Sequence, residues 1–100
     1  MTDFVVVLAP AAEGDIADAF AWYRERNANA ANAFRVAVLD TIDHIASAPL
    51  SRPADEEGNR NRVLHWFPYS VIYEVLGSPV TILAIAHHRR SPHYWRARHH

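Results

Sequence analysis

The sequence contains no cysteine, and this absence excludes several kinds of chemistry at once. Without cysteine the chain can form neither a disulfide nor a thiolate nucleophile. The composition suits a reducing compartment, so we expect a cytoplasmic protein. Glycine is also scarce, with three residues, whereas 50% of the residues are hydrophobic. A long disordered segment away from the chain ends is therefore not expected.

Long apolar runs are missing as well. No stretch of about 18 uncharged apolar residues exists, so the sequence predicts no membrane-spanning helix and no membrane partner. The opening Met1-Thr2-Asp3 lacks the basic run and apolar core of a secretory signal. A length of 100 residues suits one domain, which we expect over residues 1–98. His99 and His100 resemble the remnant of a purification tag and are set aside.

Lysine is absent too, because all ten basic residues are arginines. Such a bias also arises from a GC-rich genome without selection for function. The position of the charges is more informative. Residues 1–57 contain ten acids and four arginines, whereas residues 58–100 contain six arginines and one acid, Glu74. The second half therefore suits phosphate groups or an acidic protein partner.

The first half of the chain predicts one strand and two helices. Residues 3–8 are apolar after Asp3, rich in β-branched side chains and end before Pro10, as in a buried strand followed by a helix start. Two apolar stripes at helical spacing follow, separated by a break at residues 27–29 and ended by Pro49. The stripes consist of Ala12, Ile16, Phe20 and Tyr23, and then of Ala30, Phe34, Val38, Ile42 and Ile45.

The second half predicts a loop and three strands. Residues 51–59 are polar and aperiodic, which is typical of a loop. Apolar runs then predict strands over residues 63–67, 69–76 and 80–86, with Pro68 between the first two and a tight turn at residues 77–79. The predicted fold is α+β, in the order β-α-α-β-β-β, with a helical hairpin packed on one face of a small, mainly antiparallel sheet.

Three stretches of sequence resemble the RelE/ParE family of bacterial toxins. Residues 8–16, Leu-Ala-Pro-Ala-Ala-Glu-Gly-Asp-Ile, resemble the strand-to-helix opening of the ParE branch. Residues 69–75, Tyr-Ser-Val-Ile-Tyr-Glu-Val, are similar to the aromatic-flanked core strand. Residues 82–90, followed by Tyr94 and Trp95, resemble the final strand and the basic tail. Together, in this order, they cover most of the chain.

The resemblance implies the toxin subunit of a type II toxin–antitoxin pair, which inhibits the growth of its host and is neutralised by a cognate antitoxin protein. Members of the RelE branch cut messenger RNA in the ribosome, whereas members of the ParE branch are associated with poisoning DNA gyrase and plasmid stabilisation. Three interpretations follow. The preferred one is a ParE-like toxin that binds its target without chemistry of its own. The others are a metal-independent, ribosome-dependent endoribonuclease, and an inactive relative that only binds an antitoxin.

The residues for RNA cleavage are present only in part. Cleavage without a metal needs a base, an acid and cations on the phosphate. By resemblance, Arg89 and Tyr94 stand where RelE-like enzymes have catalytic residues, and Arg62 or His65 would supply the basic residues of the middle strands. The arginine of the core strand, however, is replaced by Ser70. Since that cation is missing, we expect binding rather than catalysis.

The residues expected to bind a partner or target are Trp22, Arg89, Arg90, His93 and Trp95. Trp22 lies off the apolar stripe of its helix, which favours a protein interface. The alternatives are a solvated charged tail for the two arginines and aromatic cover of a sheet edge for Tyr94 and Trp95. Seven histidines raise the question of a metal site. No cysteine or clustered carboxylate completes one, so we expect no metal and no other cofactor.

Overall fold

The computed structural model describes residues 4–89, which form two helices and one four-stranded sheet. The elements in chain order are β1 (Val5–Leu8), α1 (Pro10–Arg26), α2 (Ala28–Ser47), β2 (Asn59–Val63), β3 (Tyr69–Val75) and β4 (Pro79–His87). This order is the predicted β-α-α-β-β-β, and the α+β class is confirmed. No helix within residues 4–89 is long and apolar enough to cross a bilayer.

A single residue, Asn27, joins the two helices. Helix α1 begins at Pro10, whose missing N–H costs nothing in a first turn. At the other end the backbone N–H of Asn27 donates to the carbonyl of Tyr23 at 2.7 Å. The side chain of Asn27 accepts from the N–H of Ala30 at 3.0 Å and so caps α2. Because one residue serves both helix ends, the hairpin is tight, and α2 starts two residues earlier than its apolar stripe indicates.

The strand order across the sheet is β1-β4-β3-β2. Strand β1 runs parallel to β4, and the two other neighbouring pairs are antiparallel, so the predicted mainly antiparallel sheet is confirmed. Gly77, with φ +71°, makes the turn between β3 and β4 at the predicted position. The short strand β1 pairs only with Pro79–Ile82, which leaves the second half of β4 without a neighbour on that side.

A bulge in β4 sets which side chains face the helices. Strand β3 residues Ile72 and Tyr73 pair with Ala84 and Ile82, so Leu83 is the extra residue. Ile82 and Ile85 both belong to the main core beneath the helices, although they lie three positions apart. Leu83 and Ala84 instead join Ile72 in a second apolar cluster.

The prediction for the second strand was wrong. Most of the expected strand over residues 63–67 is a connection, and β2 is the polar segment Asn59–Val63, of which only Asn59 falls in the predicted loop and only Val63 in the predicted strand. Strand β2 lies at the edge of the sheet, where polar side chains remain in contact with water. The ladder ends where the N–H of Leu64 donates to the carbonyl of Tyr69 at 2.9 Å, and residues 65–68 make the turn.

Four aromatic rings pack together in the part of the core between the two helices and the start of β3. Phe34 of α2 is fully buried, with ring centroids of Tyr23, Phe67 and Tyr69 at 5.4, 5.5 and 5.3 Å. These four residues, the aromatic cluster, tie both helices to the start of β3 and to the turn before it. Such ring geometries stabilise a core beyond the area that they bury.

Candidate binding grooves

Two grooves flank the aromatic cluster, and each lies between a helix and the sheet. The first, the edge groove, has a volume of about 600 Å³ and lies between α1 and the end of β4. It is lined by Asp15, Asp18, Ala19, Trp22, Tyr23, Pro68, Tyr69, Ile85, His87 and Arg89. The second, the hairpin groove, has a volume of about 830 Å³ and lies between α2 and the β2–β3 turn. It is lined by Asn32, Ala33, Val36, Ala37, Asp40, Thr41, His44, Arg62, Val63, His65, Trp66 and Phe67.

Asp15 connects the wall of the edge groove to the sheet. Strand β1 ends at Leu8, and the next N–H, of Ala9, donates to the carbonyl of Ile82 at 2.9 Å. Beyond that point β4 has no strand on this side, and its backbone needs other partners. The carboxylate of Asp15 accepts the N–H of Ile85 at 2.9 Å. This hydrogen bond holds α1 against the open half of β4, and the edge groove lies between them.

The edge groove brings together two residues that the sequence analysis expects at a partner interface. Trp22 and Arg89, 67 positions apart in the chain, line the same groove. The guanidinium of Arg26 lies 3.7 Å from the ring centroid of Trp22 and donates to the carbonyl of Trp22 at 2.8 Å. The indole is 51% exposed but fixed by this stacked cation, so a partner that binds it loses little side-chain entropy.

His87 and His88 point to opposite faces of the sheet, as adjacent residues near a strand end should. The ring of His87 packs edge-on against Tyr69 at 4.8 Å and lines the edge groove. Nε2 of His88 lies 2.9 Å from Oγ of Ser70. Ser70, the residue that replaces a nuclease arginine in the family resemblance, therefore makes a hydrogen bond within the fold. Within the described part of the chain, no group of three histidines and carboxylates could hold a metal ion.

A buried tyrosine, Tyr73, interacts electrostatically with three arginines, of which Arg62 lines the hairpin groove. The hydroxyl of Tyr73 donates to the carbonyl of Pro49 at 3.2 Å. Burial raises the pKa of this hydroxyl, and the positive charges of Arg60, Arg62 and Arg52 offset part of the increase. Arg60 donates to the carbonyls of Leu50 and Arg52, just past the C-terminal end of α2, where a cation is favoured.

The predicted catalytic residues do not share one site. Arg62 and His65 line the hairpin groove, whereas Arg89 lines the edge groove. The remaining predicted residues, Arg90, His93, Tyr94 and Trp95, lie outside the described residues.

Sequence analysis missed Trp66, because it placed this residue inside a strand. Trp66 is 87% exposed, and its φ of +72° is the only positive value of a non-glycine residue in the described range. The available signal was Pro68, two residues later and directly before a strand, which favours a turn over a continuous strand.

Comparison with known proteins assigns the family. The model of the "ParE toxin of type II toxin-antitoxin system, parDE" matches residues 6–92. The chain belongs to the ParE toxin family. The predicted resemblance is thus confirmed, and it is narrowed to the ParE branch.

Comparison with solved structures gives the same fold. A chain of the "Chromosomal ParDE TA system from P. aeruginosa" superposes with a TM-score of 0.76 at 18% sequence identity. The match covers 85% of this ParE-family chain and 96% of that chain. At this identity the likeness concerns the fold alone. No curated protein matches the chain.

Proposed function

We propose that this ParE-family toxin arrests the growth of its host by binding a target protein, with DNA gyrase as the leading candidate, and that a cognate antitoxin neutralises it. In this proposal, the toxin binds its target and catalyses no reaction of its own. The observation that supports this choice is that Arg62 and Arg89 line different grooves. A metal-independent nuclease needs its cations around one phosphate.

Ser70 supports the same choice. A nuclease of this fold would need a cation where Ser70 lies, and the hydroxyl here is hydrogen-bonded to His88. Transition-state stabilisation in such a site comes mainly from charges that are already in place. A serine hydroxyl has no charge and cannot replace a guanidinium group in that role.

The edge groove is the proposed contact with the target. It combines a fixed, half-exposed indole with a cation, Arg89, and tryptophan and arginine are the residue types that dominate binding energy at interfaces. Arg90, His93 and Trp95 follow directly in the sequence and are proposed to extend this contact. A target surface with carboxylates and apolar side chains would complement such a groove.

Two purified systems test the proposal. The wild-type chain should inhibit supercoiling by gyrase and leave messenger RNA on ribosomes uncut. Tyr94→Phe should remain toxic, because nothing in the proposed action uses the phenolic proton. Message cleavage by the wild type that is lost in Tyr94→Phe would contradict the proposal and favour the endoribonuclease. A folded chain that binds an antitoxin but harms neither system nor cells would favour an inactive relative.

A matched pair of variants tests the edge groove itself. Trp22 and Leu39 are equally exposed, at 51%, but only Trp22 lines that groove. Trp22→Ala should reduce gyrase inhibition at least tenfold, which corresponds to about 1.4 kcal/mol of binding free energy. Leu39→Ala should leave it unchanged. Equal inhibition by both variants would remove the edge groove from the proposal.

A further inference from the structure

Strands β3 and β4 are buried on both faces of the sheet. Residues 71–73 of β3 and residues 82–86 of β4 are consecutive and all buried. Adjacent residues of a strand point to opposite faces, so an uninterrupted buried run needs cover on both faces. The helices cover one face through the main core. The opposite face, the far face, carries the second apolar cluster, to which no helix residue among residues 4–89 belongs.

The cover of the far face is confined to the half next to the C-terminal end of β4. The members of the second apolar cluster are at most 8% exposed, and they are Ile72, Leu83, Ala84 and Ala86. Val7, which points to the same face from β1, is 48% exposed. Strand β1 does not bury the cluster, because it pairs with β4 only as far as Ile82. A methyl group at so open an edge stays exposed unless another segment packs on it.

Residues 90–100, the C-terminal tail, are the segment best placed to supply this cover. The tail follows Arg89, two residues beyond the end of β4, and so begins beside the second apolar cluster. Residues 1–3 precede β1, which starts beside the opposite end of β4. The tail also contains two large aromatic side chains, Tyr94 and Trp95, each of which can bury about 150–250 Å².

Tyr94 can reach the second apolar cluster if the chain reverses after β4. Ser91 and Pro92 are residue types that favour such a turn. Tyr94 lies seven residues beyond His87, a span of up to roughly 23 Å. Leu83 lies four residues before His87, roughly 13 Å along the strand. The two alanines of the cluster have small side chains, which leaves room for one large ring.

We propose that the C-terminal tail folds back across the far face, antiparallel to β4, and that the ring of Tyr94 packs on the second apolar cluster. Adjacent side chains of an extended segment point to opposite sides, so Tyr94 against the sheet turns His93 and Trp95 outward. These two residues would then continue the target contact from the edge groove around the open edge of β4. That consequence rests on the proposed function, whereas the packing of Tyr94 does not.

Engineered cysteines test the packing directly, because the chain has no cysteine of its own. Thr81 is partly exposed on the far face, since both of its neighbours in β4 belong to the main core. Arg96 lies two residues beyond Tyr94 and would face the same side. Thr81→Cys with Arg96→Cys should form an intramolecular disulfide roughly tenfold faster or more than Arg35→Cys with Arg96→Cys, because Arg35 lies on a helix behind the sheet. Equal rates would overturn the inference, and disulfides between two chains would assign the cover to a second copy instead.

Substitutions of Tyr94 test whether its ring stabilises the fold. Tyr94→Ala should lower the folding equilibrium constant roughly tenfold or more in urea denaturation, because the ring no longer covers the sheet. Tyr94→Phe keeps the ring and should match the wild type. His93→Ala, at the adjacent position that would face outward, is the control and should leave the stability unchanged. Equal stability of Tyr94→Ala and His93→Ala would overturn the inference.

Inhibition of gyrase tests the outward side of the tail. Tyr94→Ala should inhibit supercoiling less than the wild type, because the tail is no longer held on the far face, and Tyr94→Phe should inhibit fully. Full inhibition by Tyr94→Ala would contradict the positioning of His93 and Trp95. A wild type that leaves gyrase unaffected would refute the proposed function, whereas the disulfide and denaturation results would still decide whether Tyr94 packs on the sheet.

Discussion

The edge groove and the hairpin groove share the aromatic cluster as a common wall, yet they use their charged residues differently. In the edge groove the carboxylate of Asp15 holds the backbone of β4, so this charge serves the fold. In the hairpin groove the guanidinium of Arg62 has no such partner among residues 4–89. A charge bound within the fold has little interaction left to offer, whereas an unpaired one can gain a partner.

The tryptophans of the two grooves also differ in backbone strain and in exposure. Trp22 lies on a regular helix and is stacked by Arg26. Trp66 lies on a left-handed residue and is almost fully exposed. The first arrangement is stable in the free protein, whereas the second is compensated only when something packs on the indole. The four stability predictions that follow separate the grooves, from the largest expected effect to the smallest.

Phe34→Ala should damage both grooves together. Phe34 is fully buried and contacts the three other rings of the aromatic cluster, which line one groove or the other. The cavity and the lost contacts should lower the free energy of unfolding by about 3–5 kcal/mol. Urea denaturation measures this. A loss below about 1 kcal/mol would mean that the grooves do not share this wall.

Asp15→Ala should affect the edge groove alone. It leaves the N–H of Ile85 without its acceptor and should lower the free energy of unfolding by about 1–3 kcal/mol. Asp15→Asn retains an acceptor and should recover part of the loss. Asp18→Ala, an exposed neighbour in the same groove, is the control and should change stability by less than about 0.5 kcal/mol. Equal effects of Asp15→Ala and Asp18→Ala would contradict the assigned role.

Tyr73→Phe tests the buried hydroxyl near Arg62 of the hairpin groove through the pH dependence of stability. Losing the hydrogen bond to Pro49 should lower the free energy of unfolding by about 0.5–1.5 kcal/mol at neutral pH. Because burial raises the pKa of Tyr73 in the folded state, the unfolded chain ionises first. The contribution of Tyr73 to wild-type stability should therefore be constant below a pH of about 10 and fall above it.

The control for this pH dependence is the variant itself. Tyr73→Phe should lose less stability than the wild type above a pH of about 10, because it lacks the Tyr73 hydroxyl, whose pKa burial raises in the folded state. The difference between the two proteins should shrink as the pH rises. Parallel curves across the alkaline range would show that the Tyr73 hydroxyl is not buried as described.

Trp66→Gly should stabilise the free toxin slightly. Relief of the left-handed strain, about 1–2 kcal/mol, exceeds the extra chain entropy of glycine, about 0.5–1 kcal/mol. The net increase in the free energy of unfolding should be up to about 1 kcal/mol. Trp66→Ala removes the indole without relieving the strain and should not stabilise. If Trp66→Gly were clearly destabilising, the indole would be part of the fold rather than a binding residue.

The fold was largely predictable because most of its elements bury an apolar face. The stripes of α1 and α2 carry the helical periodicity that such burial imposes, and the apolar runs at β3 and β4 mark largely buried strands. The prediction that β1 is buried was wrong, since Val5 and Val7 are exposed. Strand β2 was not predicted correctly, because an edge strand with Asn and Arg side chains has no apolar pattern. The following run, residues 63–67, looks like a strand but must turn before Pro68.

The grooves were less predictable, since they depend on which distant residues the fold brings together. Trp22 was recognisable from its position off the helix stripe, and Arg89 from the basic end of the chain, but nothing local indicates that they meet. Trp66 had no local signal of a left-handed backbone beyond the nearby proline. That Arg62 and Arg89 line different grooves likewise depends on the tertiary structure.

The most direct test of the account is the growth of cells that produce Arg62→Ala or Arg89→Ala in the absence of antitoxin. We expect Arg62→Ala to arrest growth as strongly as the wild type, because Arg62 lies outside the proposed target groove. Arg89→Ala should arrest growth less strongly, because it lines that groove. If folded Arg62→Ala and Arg89→Ala were both harmless, the two arginines would act on one substrate, and the account of a binding toxin with two separate grooves would be contradicted.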